Sequence, residues 1–356
     1  MNILVFAGLS DKKLTSKLEP LLNLPRVKEI FLVRNRPLVL EKVRSITPSF
    51  PFTFPGTREI LKFLQGRRLL KIHEIDCIIG IFLRPHCLYA FLLGKIFKKP
   101  VIYLLIGNDV DFLVRHPRIF RSFFKQASAV GVRGPRSKVR LQNVFPHQIP
   151  FFQHNNLFTI PDQDISQTGP GSKDIDILTI ADFSRVKRID IFLNVISRLK
   201  NDFPGIRAVM LGGKHRKSRY IKLRDQLGLT DHVSFEGVVP DVRPSLERSR
   251  IFVLTSEAEG LPMAMIEAMS AGLPCVVPDV GDITSIAHDG QNAFVVKPRD
   301  VDEFAEKIIT LLHNQELLKE LGQNAKETIQ NKKREFSLDF NARIWEKILE
   351  KSIIPS

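Results

Sequence analysis

Cysteine is scarce in this chain, and long apolar runs are missing. The three cysteines, Cys77, Cys87 and Cys275, are odd in number, lie in apolar segments and show no metal-ligand spacing. They exclude a disulfide framework and read as buried thiols of a reducing compartment, the cytoplasm. No stretch approaches the roughly 18 apolar residues that a spanning helix needs, so no membrane span is expected. The opening Met1-Asn2-Ile3-Leu4-Val5-Phe6-Ala7 lacks the charged start and small-residue cleavage site of a leader, and reads as a first strand. There is no short repeat, low-complexity tract, zinc finger, RNA-recognition signature or recognisable helix-turn-helix. Nucleic acid is therefore not an expected partner.

What is present is apolar content and uneven charge. With 356 residues and 44% hydrophobic content, the chain can build two cored domains. Residues 1–150 carry 26 Lys and Arg against 9 Asp and Glu, a net of +17; residues 151–356 carry 27 against 29, a net of −2. Two basic stretches mix cations with apolar residues: Thr57–Glu74, with Arg58, Lys62, Arg67, Arg68 and Lys71, and Arg115–Arg140. In the second, Phe120, Phe123 and Phe124 alternate with Arg118, Arg121 and Lys125. Basic amphipathic helices with exposed aromatics suit an anionic membrane surface, which makes a peripheral place on the cytoplasmic face the expectation.

Short apolar runs alternate with helical patterns, the mark of parallel α/β layering. Strands are expected at Ile3–Phe6, Glu29–Val33, Cys77–Ile81, Val101–Leu105 and Ala129–Val132 in the first half. In the second they are expected at Asp176–Ala181, Ala208–Leu211, Val233–Phe235, Ile251–Leu254, Cys275–Val277 and Ala293–Val296. The polar, turn-rich 159–173 reads as a linker between a basic domain at 1–158 and a second domain at 174–332. A final helix at 333–356, carrying the only tryptophan, Trp345, is expected to pack back toward the first domain.

The sharpest signal is Ser256-Glu257-Ala258-Glu259-Gly260-Leu261-Pro262 with a second acid at Glu267, eight residues after Glu259. A Gly-Leu-Pro turn opening a helix leaves backbone N–H groups pointing outward at the positive end of the helix dipole. Pro262 fits the first helical turn, having no N–H to lose. The apolar Ile251-Phe252-Val253-Leu254 just before it reads as a buried strand. The acids therefore lie where a strand's carboxyl end meets a helix, the place at which open α/β sheets bind ligands.

These residues resemble the retaining, nucleotide-sugar-dependent glycosyltransferases of the GT-B fold, group-1 or family-4 type. Glu259 through Pro274 is similar to the family's E-x7-E signature, flanked by Val233–Gly237 before it and by Asp279-Val280-Gly281, Asp289-Gly290 and Asn292–Val296 after it. The resemblance implies an α/β fold of two Rossmann-like doubly wound domains facing a central cleft. It implies that Glu259 binds donor-sugar hydroxyls, that the N–H groups of Gly260, Leu261 and Pro262's turn hold sugar or phosphate oxygens, and that Glu267 accepts from ribose. Lys187 matches the diphosphate lysine, Arg185 adds charge beside it, and Gly237-Val238 resembles the loop that reads the base. Asp182 stands where relatives often have arginine, and Ile106 where they often have histidine. Asp109, in Gly107-Asn108-Asp109, is the first-domain candidate for touching substrate, and is grouped with Glu259 and Lys187 as catalytic. The implied reaction moves a sugar from a nucleoside diphosphate sugar to a glycan or lipid-linked acceptor of the cell envelope with retention, using no cofactor and no metal. An epimerase or glycan phosphorylase on the same fold, or a non-catalytic sugar-nucleotide-binding protein, are the competing expectations.

Overall fold

A computed structural model describes residues 1–48, 57–145, 149–158, 173–213 and 217–353. The chain divides into two compact units, residues 1–159 with 334–356, and residues 160–333.

The first unit begins with β1 (Asn2–Phe6), α1 (Asp11–Leu22), β2 (Glu29–Val33), β3 (Val43–Ile46), α2 (Thr57–Ile72) and β4 (Cys77–Ile81). It continues with α3 (Leu88–Phe97), β5 (Val101–Leu104), α4 (Asp109–Arg115), α5 (Pro117–Lys125), β6 (Ala127–Val132), α6 (Pro135–Val144) and β7 (Phe151–Gln153). The strands form one parallel sheet in the order β3-β2-β1-β4-β5-β6-β7. Side chains alternate across it. Leu4 and Phe6 join a core with Leu70 of α2, Leu93 of α3 and Phe124 of α5. Ile3 and Val5 point the other way, into a core with Leu14 and Leu18 of α1.

The second unit contains β8 (Ile175–Ile180), α7 (Ile189–Leu199), β9 (Ala208–Leu211), α8 (Lys217–Gln226), β10 (Val233–Gly237), α9 (Arg243–Glu247) and β11 (Ser249–Val253). Then come α10 (Met263–Ser270), β12 (Cys275–Pro278), β13 (Ala293–Val296), α11 (Val301–His313) and α12 (Gln315–Asn331). Its parallel sheet runs β10-β9-β8-β11-β12-β13. Most of these strands are buried on both faces, which is why they read as unbroken apolar runs. The end of α10 is held close by α12, because a Cβ on Gly322 would sit 2.3 Å from the Gly272 carbonyl oxygen. The last helix, α13 (Leu338–Ile353), belongs to the first unit, where Trp345 packs edge-on against Phe152 at 5.2 Å.

Several expectations change. The first sheet has two strands more than the five read from the sequence, β3 and β7, at its two edges. β3 is half-exposed and β7 has only three residues, so neither shows the apolar run of a buried strand. Arg115–Arg140 is not one basic surface, because α5 and α6 are separated by the buried strand β6. Phe123 and Phe124 face the core and Phe120 is half-buried, so they are not the exposed aromatics expected of them. Lys62 is likewise buried, on Glu59 at 2.8 Å. Apart from Lys173, the expected linker 159–173 lies outside the described residues. Among the described residues no helix is long and apolar enough to cross a membrane.

The Trp345 contact gives the first prediction. Trp345→Ala should lower the stability of the first unit by about 3–5 kcal/mol, the usual cost of truncating a buried aromatic. Urea unfolding should show that loss in the first unit's transition and leave the second unit's midpoint unchanged.

Candidate functional site

Strand order in the second sheet reverses between β8 and β11. From β8 the chain steps outward through β9 to β10, and from β11 it steps the other way through β12 to β13. The loops after β8 and β11 must therefore part at the carboxyl edge, leaving the crevice in which such sheets bind ligands. Lys187 stands in the loop after β8 and Glu259 in the loop after β11.

The two side chains meet there as an ion pair between Lys187 Nζ and Glu259 Oε1. Glu259 is almost fully buried, while Lys187 keeps about a fifth of its side chain exposed. Backbone contacts set the geometry from beneath. The Glu257 N–H donates to the Val186 carbonyl at 2.7 Å, and the Thr255 hydroxyl lies 3.2 Å and 3.1 Å from the carbonyls of Lys187 and Arg188. Arg188 is committed to Asp190, whose carboxyl it holds below the usual carboxylate range, and reaches Glu257 at 3.4 Å. Arg185 is exposed on the same short turn. Asp182 accepts the Ser184 N–H at 2.9 Å and so shapes this loop.

Glu259 and Gly260 lead into α10. The helix begins at Met263, with Pro262 one residue earlier at the cap position (φ −73°, ψ 120°) instead of inside the first turn. No side chain caps the helix start, which leaves its first N–H groups to other acceptors. Glu267 lies one turn further on and is half-buried. Leu261 is buried and helps seat the turn. A third loop, after β12, closes the floor. The Asp282 N–H donates to the Gly260 carbonyl at 3.0 Å, and a Cβ on Gly281 (φ 58°) would lie 1.9 Å from the Glu259 carbonyl oxygen. At the far side, Gly237 (φ 78°) ends β10 with open space around it, and the adjoining Val238 is exposed. Gly212 packs on the Ala181 carbonyl, where a Cβ would sit at 2.3 Å. Arg185, Gly237, Val238, Gly260, Leu261 and Pro262 thus lie in or beside loops at the carboxyl edge of one sheet, with Glu267 in the helix that follows. Gly281 and Gly212 are the backbone-packing positions that motif reading alone did not single out for a role.

This geometry agrees with what the chain is similar to. Residues 162–328 match the model of the group-1 glycosyl transferases. The match lies within the second unit, which is thus similar to these enzymes over just under half of the chain. EpsD of Bacillus subtilis is 34% identical over 130 residues, 36% of this chain and 34% of EpsD. The lipopolysaccharide core biosynthesis glycosyltransferase LpsE of Rhizobium meliloti is 26% identical over 153 residues, 43% of this chain and 44% of LpsE. Both matches therefore span less than half of the relative's length. The crystal structure of Anabaena HepE in complex with UDP and glucose superposes with a TM-score of 0.76 at 19% identity, over 98% of this chain and 99% of HepE. That likeness shows the fold, which is α/β of the GT-B class with two Rossmann-like units.

In the first unit, strand order reverses between β1 and β4. Asp109 is one strand away, buried, and its Oδ2 accepts the N–H groups of Leu83 at 3.0 Å and Ile106 at 2.9 Å. It ties the loops after β4 and β5 together. At the reversal itself the residues are Gly8 and His86, with a Cβ on Gly8 only 2.6 Å from His86 Cε1. Nothing in the sequence joins these two residues. Among the described residues no cluster of His, Cys, Asp and Glu could hold a metal ion.

Two predictions follow from packing and charge. Gly281→Ala should push the Glu259 turn out of place and lower the second unit's stability, read from its urea midpoint, by about 1–3 kcal/mol, with a cooperative unfolding transition retained. Burial raises the Asp109 carboxyl to about 7, above its ordinary value of 3.8. The folded first unit then holds this proton more tightly than the unfolded chain between about pH 4 and 7, so this group's contribution to stability is lost as pH rises through that window. Urea midpoints measured across it should fall less steeply for Asp109→Asn than for the wild type.

Proposed function

We propose that this protein is an enzyme that transfers a sugar from a nucleoside diphosphate sugar to an acceptor hydroxyl with retention of configuration. The observation that carries the reading is the Lys187–Glu259 pair at the strand-order reversal, over the uncapped start of α10. Glu259 offers only acceptors, as sugar hydroxyls require, and Glu267 does the same for the ribose diol. Lys187, Arg185 and the α10 N–H groups meet the diphosphate, so charge building on the leaving group is stabilised by protein cations and dipoles without assigning a metal a role. Gly237 and Val238 face the base with backbone groups. Lys187 neutralises Glu259, and donor binding exchanges that partner for a diphosphate oxygen.

The bond from the anomeric carbon to the diphosphate oxygen breaks as the bond to the acceptor oxygen forms. On the retaining route the departing phosphate takes the acceptor proton from the same face. Carboxylates at the carboxyl edge of the first sheet are already engaged: Asp11 with Arg34, Glu59 with Lys62, and Asp109 with backbone N–H groups. Their engagement supports a route with no glycosyl-enzyme intermediate. Asp109 then serves the acceptor side by holding two loops together. The part LpsE plays in lipopolysaccharide core biosynthesis, and the basic first unit, support a cell-envelope glycan or lipid-linked acceptor reached from the cytoplasm.

The test uses a panel of UDP, GDP and ADP sugars in chelator. A matching donor at 100 times its dissociation constant should stabilise by about 2.7 kcal/mol. Nucleotide release should require an acceptor, and NMR of the product should show the donor's anomeric configuration. Glu259→Gln should cost roughly a hundredfold or more in turnover, as removal of a transition-state contact does. Near-normal turnover by folded Glu259→Gln would refute the assignment, and release independent of acceptor would point to the epimerase or phosphorylase class.

A further inference from the structure

The helices α2, α3 and α5 cover the same face of the first sheet, since residues from all three share one core with Leu4 and Phe6. They form a continuous layer. Tyr89 of α3 donates to Glu59 of α2 at 2.9 Å, and Phe91 of α3 packs on Phe123 of α5 at 5.7 Å. The outward side of this layer is unusual. Ile119 is 73% exposed, Ile60 62% and Ile96 59%, with Leu64, Leu88 and Leu92 also exposed. Along α2 the exposed Ile60, Leu64, Arg67, Arg68 and Lys71 recur at three and four residues, so apolar and basic groups share one stripe.

No acidic residue occurs anywhere in α3 or α5, and Glu59 of α2 is engaged by Lys62 and Tyr89. Between the ends of α3 and α5 lies a shallow hollow of about 420 Å³ lined by Lys95, Lys98, Lys99 and Lys125, with Ser122 at its side. Among the described residues none of these four lysines forms an ion pair. A row of unpaired ammonium groups beside exposed aliphatic side chains has two demands, anions and a place to bury hydrocarbon.

We infer that this face of the first unit docks on an anionic lipid bilayer. Ile60, Leu64, Leu92, Ile96 and Ile119 enter the headgroup boundary, and the lysine-lined hollow receives lipid phosphates. Charge complementarity selects this occupant. A second copy would oppose like charges, and nucleic acid would leave the aliphatic side chains unburied while finding no exposed aromatic ring among the described residues of this face. The inference does not rest on the proposed sugar transfer, because none of these residues belongs to the donor site.

The experiment is flotation of the full chain with vesicles of phosphatidylcholine alone and of phosphatidylcholine mixed equally with phosphatidylglycerol. Wild type should float with the mixed vesicles at low salt, and poorly with the neutral ones or at high salt. The variant Lys95→Ala/Lys98→Ala/Lys125→Ala should bind about a hundredfold more weakly, at roughly fivefold per charge. The variant Ile60→Ser/Ile96→Ser/Ile119→Ser should also lose at least tenfold, which a purely electrostatic site would not. All six positions are exposed, and unchanged thermal unfolding identifies folded variants. The lipid and salt dependence of wild type stands whether or not a variant folds. Failure of wild type to float with anionic vesicles at low salt would overturn the inference. So would retained binding by either folded variant, or equal binding of a single-stranded RNA that ignores the isoleucine changes.

Discussion

Where strand order reverses between β8 and β11, two loops that would otherwise run side by side are parted, and two ion pairs, Lys187 with Glu259 and Arg188 with Glu257, span the gap. Exposed ion pairs contribute little to stability, and buried ones often cost more in desolvation than they return. A nearly buried carboxylate and a mostly buried ammonium at a crevice floor are thus poorly explained as a fold-stabilising device. They make sense as charges held in place for a third party. The surrounding features share that logic: an uncapped helix start, an exposed Arg185, and a glycine where any side chain would displace Glu259.

Much of this was legible in the sequence because the second sheet is buried on both faces. β8, β9, β11, β12 and β13 show as apolar runs, and the turn chemistry of Gly260, Pro262 and Gly272 marks where α10 starts and stops. The order of strands in space was not legible from those runs, and it is the order that brings Lys187 to Glu259 across 72 residues of chain. Gly281 illustrates the same limit. Its φ of 58° and its approach to the Glu259 carbonyl are tertiary facts, and the Asp279-Val280-Gly281 motif in sequence gives neither. The half-exposed β3 and the three-residue β7 were missed for a simpler reason, since edge strands need little apolar content.

The first unit shows how composition can mislead about direction while remaining right about amount. The basic residues expected at a surface include Lys62, which the fold buries against Glu59, and the phenylalanines between them turn inward to pack on the sheet. Periodicity gives a helix two faces but does not say which one a neighbouring helix or sheet will claim. Once α2, α3 and α5 are laid on the sheet, the residues left outside are aliphatic and cationic. That combination was not the aromatic one anticipated, yet it has the same chemical appetite.

Charge is divided between the units in a way that matches two kinds of recognition. On the proposed function, the second unit, near neutral in sequence, would meet a small anion with a few groups at fixed positions, where burial shields them from salt. The first unit presents many exposed cations whose attraction acts over about a Debye length and falls as salt rises. A diffuse positive field at the donor site would bind donor and released nucleotide diphosphate alike and so would not favour turnover. If the large charge is confined to the lipid-facing layer proposed above, the donor crevice is left to discriminate by geometry, with Lys187 exchanging one carboxylate for one diphosphate oxygen.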